Sequence, residues 1–174
     1  MKQGEKKRLV TDYVTINSFT LLEAYLLPDI EDLVNRIARD KYFSSIEIRL
    51  ACHQVPLLAE ERHCTAFEAD GRLFQYKRLP LGVTNGVSAF QRSIDEFIKR
   101  HRLKNIYAYL DLTVTGETHE EYDTNLKCLL NAAAECNLTI NEEKSEFRVT
   151  DLEMLGYLVA FKQINPDPNL CKLY

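Results

Sequence analysis

Apolar and polar positions repeat with two different periods along this chain, and the changes of period divide it into elements. Behind Pro28, the residues Ile30, Leu33, Val34 and Ile37 fall three and four apart. Asp29, Glu31 and Asp32 precede or join the first turn, so an amphipathic helix is predicted here. KYFSSIEIRL, residues 41–50, predicts a buried strand with Phe43, Ile46, Ile48 and Leu50 as its apolar positions and Glu47 among them. RLVTDYVTI, residues 8–16, is rich in β-branched types and predicts another strand. CTAFEADGRLFQYKRL, residues 64–79, holds two strand-like runs joined by Asp70-Gly71, a hairpin signal. After the turn-rich LPLGVTNG, a helical face is expected from Val87, Phe90, Ile94, Phe97 and Ile98.

NIYAYL and LTVT predict two short strands joined tightly at Asp111. Thr118 and Glu121 have capping-box spacing, which opens a helix expected to turn Tyr122, Leu126, Leu129, Leu130 and Ala133 inward. Asn137 is a natural stop. LTINEEKSEF and LEMLGYLVAF predict further short strands, and INPDPN, residues 164–169, an exit from the compact unit. Hairpins outnumber crossovers in this order. The prediction is an α+β fold: a largely antiparallel sheet with helices packed on one face.

Composition narrows the function classes. With 174 residues and 45% hydrophobic content, the chain supports one domain with a real core. A net charge of −4 does not mark the whole molecule as a polyanion binder. No apolar run approaches the ~18 residues of a membrane span, and MKQGEKKRL lacks the apolar stretch of a secretion signal. Five scattered cysteines without a C-x-x-C pair predict reduced thiols in an intracellular protein, cytoplasmic or nuclear.

Two acids carry the candidate chemistry. Glu47 interrupts an apolar strand, where a carboxylate costs several kcal/mol unless paired or bound to a metal. Asp111 stands at a hairpin tip between apolar strands. If the strands are neighbours, both acids meet on one sheet face and could hold divalent ions. Equally, Asp is common in turns, and a strand Glu faces solvent if the register shifts by one.

Six segments in series resemble the fingers and palm of reverse transcriptases, most closely the gypsy-type LTR retrotransposon branch. RLVTDYVTIN resembles an early fingers segment, and LLPDIEDLVNRIARDKYFSSIEIRLACHQVPL the run through the first catalytic strand. TAFEADGRLFQYKRLPLGVTNGVSAFQR resembles the substrate-side loop and helix, and YAYLDLTVTGETHEEYDTNL the second catalytic hairpin. NLTINEEKSEF and LEMLGYLV resemble the segment running to the primer grip. The resemblance implies a right-hand polymerase fingers and palm over residues 1–160, with 161–174 starting the connection towards a thumb. It implies RNA- or DNA-templated DNA synthesis with two Mg²⁺ ions, a primer-template and dNTP as partners, and thumb and RNase H regions in a longer Pol polyprotein. It places Glu47 and Asp111 as catalytic residues, with Ile48 beside them at the metal. It places Lys2 and Arg8 at the triphosphate, Cys52, Leu81, Gly82 and Gln91 around the incoming nucleotide, and Leu155, Gly156 and Tyr157 at the primer grip.

The departures from the family pattern gather at the centre. Glu47 stands where the family has Asp, one methylene longer, which displaces the carboxylate by about 1 Å and can cost roughly 10²-fold in rate. Tyr109-Leu110-Asp111-Leu112 stands where the family has Tyr-x-Asp-Asp, and the flanking residues align best with one residue lost after Asp111. Cys52 replaces the aromatic residue that blocks a ribose 2′-hydroxyl. The expected function is therefore a reverse transcriptase domain of a retrotransposon Pol polyprotein, impaired in this chain. The alternative is a catalytically silent relic that binds nucleic acid or protein at most.

Overall fold

Along Tyr42–Ile46 the side chains sort between two layers. Tyr42 and Ile46 enter one apolar cluster and Phe43 enters another on the opposite face. The computed structural model describes residues 11–167. In chain order they form α1 (Val14–Phe19), α2 (Ile30–Ile37), β1 (Tyr42–Ile46), β2 (Phe67–Ala69), β3 (Arg72–Phe74), α3 (Gly86–Arg100), β4 (Ile106–Tyr109), β5 (Asp111–Gly116), α4 (His119–Glu135), β6 (Glu146–Val149), β7 (Asp151–Met154), β8 (Tyr157–Ala160) and β9 (Gln163–Pro166). Short 3-10 turns, Ala51–Gln54 and Ala59–Thr65, lie between β1 and β2.

The central sheet has the order β4-β5-β1-β6 and is antiparallel throughout. On one face α3 and α4 bring Phe90, Ile94, Tyr122 and Leu129 against Ile46, Ile106, Leu112 and Val114. On the other face α2 and the three-stranded sheet β7-β8-β9 enclose Phe43 with Leu33, Val34, Ile37, Leu152 and Val159. The two long helices thus share one face, as expected, while the short α2 joins a second layer. Burying each of these aliphatic side chains contributes about 1.5–3 kcal/mol.

Local signals explain the elements that formed as predicted. Asp29 caps α2 by accepting the Asp32 N–H at 2.9 Å. Thr118 Oγ1 accepts the Glu121 N–H at 3.2 Å, and the Glu121 carboxylate accepts the Glu117 N–H at 3.0 Å. Asn137, at φ 54°, ends the α4 region, and the Leu138 N–H closes on the Ala133 carbonyl at 2.8 Å. Asp70 and Gly71 both take positive φ in the β2–β3 turn, as a two-residue hairpin needs.

Several expectations are corrected. Residues 14–16 belong to helix α1 rather than to a strand over 8–16, whose first three residues lie outside the described part. The Asp12 side chain accepts the Val14 N–H at 2.9 Å and the Asn17 N–H reaches the Tyr13 carbonyl at 2.8 Å. These local bonds override β-propensity. β1 ends at Ile46, and Leu50 is exposed at φ 51°. Val87 and Leu130 fall at the edges of their helical stripes and are also exposed. The stretch 164–169 begins inside β9. The tip of the β4–β5 hairpin is Leu110, at φ 65°, with Asp111 already paired to Tyr109.

Tyr122 ties the layers together. It is fully buried, its hydroxyl lies 2.5 Å from Ser44 Oγ, and it accepts the Arg148 N–H at 3.1 Å. Tyr122→Phe should therefore cost about 1–2 kcal/mol, lowering the melting midpoint by roughly 3–6 °C. An unchanged midpoint in thermal denaturation would show these bonds to be inert.

Candidate active site

β1 and β5 pair with a register that runs from Tyr42↔Gly116 to Ile46↔Leu112. The next step would set Glu47 opposite Asp111. Both acids, with Ser45, line one cavity of about 750 Å³ on the face away from α3 and α4. Asp111, Ser45 and Thr113 also border a second hollow of about 220 Å³, with Tyr109 and Leu155. The sheet register thus brings the two sequence-predicted acids together.

Their surroundings differ. The Glu47 carboxylate is held by the Lys144 ammonium, at 2.9 Å from Oε1 and 3.1 Å from Oε2, and by Asn141 Nδ2 at 3.2 Å. The Lys144 hydrogen bond, outweighing desolvation, keeps its pKa below the usual carboxylate value. Asp111 keeps an exposed edge, yet its carboxyl sinks into the hollow, where burial pushes its pKa up. The Ile48 N–H, donating to Asp111 Oδ1 at 3.4 Å, pulls the other way, and the Glu47 charge adds to the rise. Two neighbouring carboxylates, one of them held unfavourably as an anion, are suited to a cation.

The other predicted residues fall into distinct places. Lys2 and Arg8 lie outside the described residues. Ile48 is buried, bridges to Ile140, and serves Asp111 through its N–H. Cys52 sits half-buried in the first 3-10 turn, where burial raises its thiol pKa, and it lines neither cavity. Leu81 is exposed, and Gly82 takes φ 93° in a loop pinned by Asn17. Asn17 Nδ2 donates to the Gly82 carbonyl at 2.8 Å, and Asn17 Oδ1 accepts the Thr84 N–H at 2.9 Å.

Gln91, expected at the incoming nucleotide, is instead completely buried. Its Nε2 donates to the Ala108 carbonyl at 3.0 Å, and its Oε1 accepts the Leu110 N–H at 3.0 Å. It therefore holds the left-handed turn that launches Asp111. Leu155 and Gly156, at φ 51° and 85°, form the β7–β8 turn, with Tyr157 paired to Met154. That turn brings Leu155 to the Asp111 hollow.

Sequence reasoning missed Lys144, Asn141 and an acidic rim of Glu146, Asp151 and Glu153. A signal for Asn141 exists in LTIN, where Ile140 alternates with polar neighbours and could pair beside Ile48. Among the described residues, no group of three or more His, Cys, Asp or Glu side chains is placed to hold a metal. What the chain offers is a carboxylate pair.

A comparison with protein families matches residues 1–159 to the reverse transcriptase (RNA-dependent DNA polymerase) model. The chain belongs to the reverse transcriptase family. It is a domain of the kind found in retrotransposon Pol polyproteins, and this family uses divalent metal ions. It is 34% identical over 167 residues to the retrovirus-related Pol polyprotein from transposon opus of Drosophila melanogaster, covering 95% of this chain and 17% of the relative. It is 30% identical over 171 residues to the Pol polyprotein from transposon gypsy of the same organism, covering 95% of this chain and 16% of the relative. This reverse transcriptase domain thus spans about one sixth of those relatives. A foamy viral protease-reverse transcriptase, solved in complex with an RNA/DNA hybrid, superposes with a TM-score of 0.82 at 21% identity. The match covers 95% of this chain and 22% of that one, and it shows the shared fold.

Proposed function

We propose that this domain carries out template-directed nucleotidyl transfer within a Pol polyprotein, at reduced efficiency. Its substrates are an RNA or DNA primer-template and a deoxynucleoside triphosphate, and its setting is intracellular. The observation that carries the reading is that Glu47, directly after β1, and Asp111, first in the paired β5, line one cavity. The donor set fits Mg²⁺, a hard ion that takes one or two carboxylates, keeps several waters and completes its shell with substrate phosphates. When bound, Mg²⁺ supplies charge stabilisation at the transferring phosphoryl group and at the attacking and leaving oxygens.

The chain's own residues bind and orient. Glu47 and Asp111 are the metal-holding carboxylates. Gln91 fixes the hairpin that presents Asp111. Leu155, from the Leu155-Gly156-Tyr157 turn, borders the smaller hollow beside Asp111, where a primer end would be steered. Leu81 and Gly82 offer an exposed loop surface for the incoming nucleotide, and the family resemblance assigns its triphosphate to Lys2 and Arg8. Cys52 presents no aromatic ring against a ribose 2′-hydroxyl, so weak discrimination against ribonucleotides is expected. Thumb and RNase H regions would come from the remainder of the polyprotein.

Primer extension on an RNA template tests this directly. Slow extension with Mg²⁺ is expected, lost in Glu47→Ala and Asp111→Ala. Glu47→Asp combined with an Asp inserted after Asp111 should raise the rate by about 10²-fold. If the unaltered chain extends no faster than its alanine variants, the domain is catalytically silent and the proposal fails.

A further inference from the structure

The loop Asn141–Ser145 is clamped to both sides of the Glu47 backbone. The Asn141 N–H donates to the Glu47 carbonyl at 2.8 Å, and the Glu47 N–H donates to Ser145 Oγ at 3.1 Å. Ser145 Oγ donates in turn to the Asn141 carbonyl at 2.7 Å. This clamp fixes the starting point of the Lys144 side chain, so its meeting with Glu47 is set by backbone geometry.

The Lys144 ammonium spans both carboxylate oxygens of Glu47, and Asn141 occupies a further lone pair. A divalent ion at Glu47 needs those same oxygen lone pairs. Lys144 is also the one cation among the described residues lining the cavity, against Glu47, Asp111, Glu146, Asp151 and Glu153. The ammonium is therefore the local neutraliser of an acidic hollow.

We propose that Lys144 is an internal counter-ion competing with divalent metal for Glu47: it neutralises the carboxylate in the metal-free protein and swings out when a metal binds. The inference rests on the reading of Glu47 and Asp111 as the metal-holding pair. The side chain suits the task, being 62% exposed against 33% for Glu47. Rotation about its flexible stem returns the ammonium to water and strands no buried charge. An exposed pair of this kind is worth little on its own. It therefore weakens metal binding without blocking it, and keeps the acidic hollow neutralised between binding events.

Mn²⁺ is a suitable probe, titrated into the chain at fixed pH and low salt while the electron paramagnetic resonance of the free ion is recorded. Lys144→Met should bind Mn²⁺ about three- to fivefold more tightly than the unaltered chain. Lys144→Arg, which keeps the charge, should stay near the unaltered value. Glu47→Gln added to Lys144→Met should abolish the gain. In the unaltered chain, saturating Mg²⁺ should move the Lys144 side-chain nitrogen signal to that of a free lysine, a readout independent of any variant's folding. Equal Mn²⁺ affinity in Lys144→Met and the unaltered chain, or an unmoved lysine signal at saturation, would overturn the competition while leaving the metal site in place. If neither chain binds Mn²⁺ more tightly than Asp111→Asn, the metal-site reading falls and this inference with it.

Discussion

Asp111→Asn should reduce primer extension by roughly 10³-fold, the equivalent of about 4 kcal/mol of lost charge stabilisation, while leaving the fold at least as stable. The two effects have one cause. Burial and the neighbouring Glu47 charge push the Asp111 pKa above its ordinary value, so its ionised form is held at a cost. That cost is present at neutral pH, and it disappears as pH falls through the raised folded-state value towards the unfolded one. Glu47 behaves oppositely. Its depressed pKa marks stability that is present above the unfolded value and lost as pH falls through the lower folded one. The unaltered chain should therefore gain stability relative to Asp111→Asn on mild acidification, and only then lose the Glu47 contribution. Divalent-ion affinity should fall over the same first window, because protons and metal compete for Asp111. Melting curves across pH, paired with metal titrations, would check both. A variant that melts lower than the parent at neutral pH would contradict the strained-carboxylate account.

Gly116→Ala should destabilise the chain by about 3 kcal/mol, a large part of a typical domain's margin. A Cβ at this position would lie 2.5 Å from the Tyr122 nitrogen, 2.6 Å from its Cα and 2.7 Å from its Cβ. Two of these are backbone atoms, which cannot rotate away. Nor can Tyr122 retreat easily, because its hydroxyl is bonded to Ser44 and Arg148. Either the start of α4 lifts from the end of β5 or the Tyr42↔Gly116 pairing opens. Gly86 is the natural comparison. An added Cβ there meets only Val83 Cγ2, at 3.3 Å, so Gly86→Ala should change stability by less than about 0.5 kcal/mol. Urea denaturation of both variants separates the two cases, and a Gly116→Ala loss below about 1 kcal/mol would contradict the packing argument.

The features legible in the sequence are those set by neighbours along the chain. Asp29 before an apolar stripe, Thr118 three residues before Glu121, and the Asp70-Gly71 pair each state their conformation locally. The Glu47–Asp111 meeting was legible only on the condition that the two strands pair, which the family resemblance implied and alternation alone left open. What stayed hidden depends on distant partners. Asn17 helps to seat α1 by reaching Gly82 and Thr84, far along the chain, so the β-branched run 8–16 misled. Gln91 carries the polarity of a substrate contact, and only the packing of α3 against the hairpin turns it inward. Lys144 meets Glu47 across a separation of 97 residues, and no local pattern announces that.

The single-residue turn at Leu110 leaves the hairpin room to lengthen. Leu110 already holds the positive φ that the first position of a two-residue hairpin turn requires. An extra residue placed after Asp111 would move Asp111 out to the tip and pair the newcomer with Tyr109. Leu112 and Val114, both wholly enclosed, would keep their partners. The change is confined to one loop, so the hairpin can gain a residue without disturbing the core beneath.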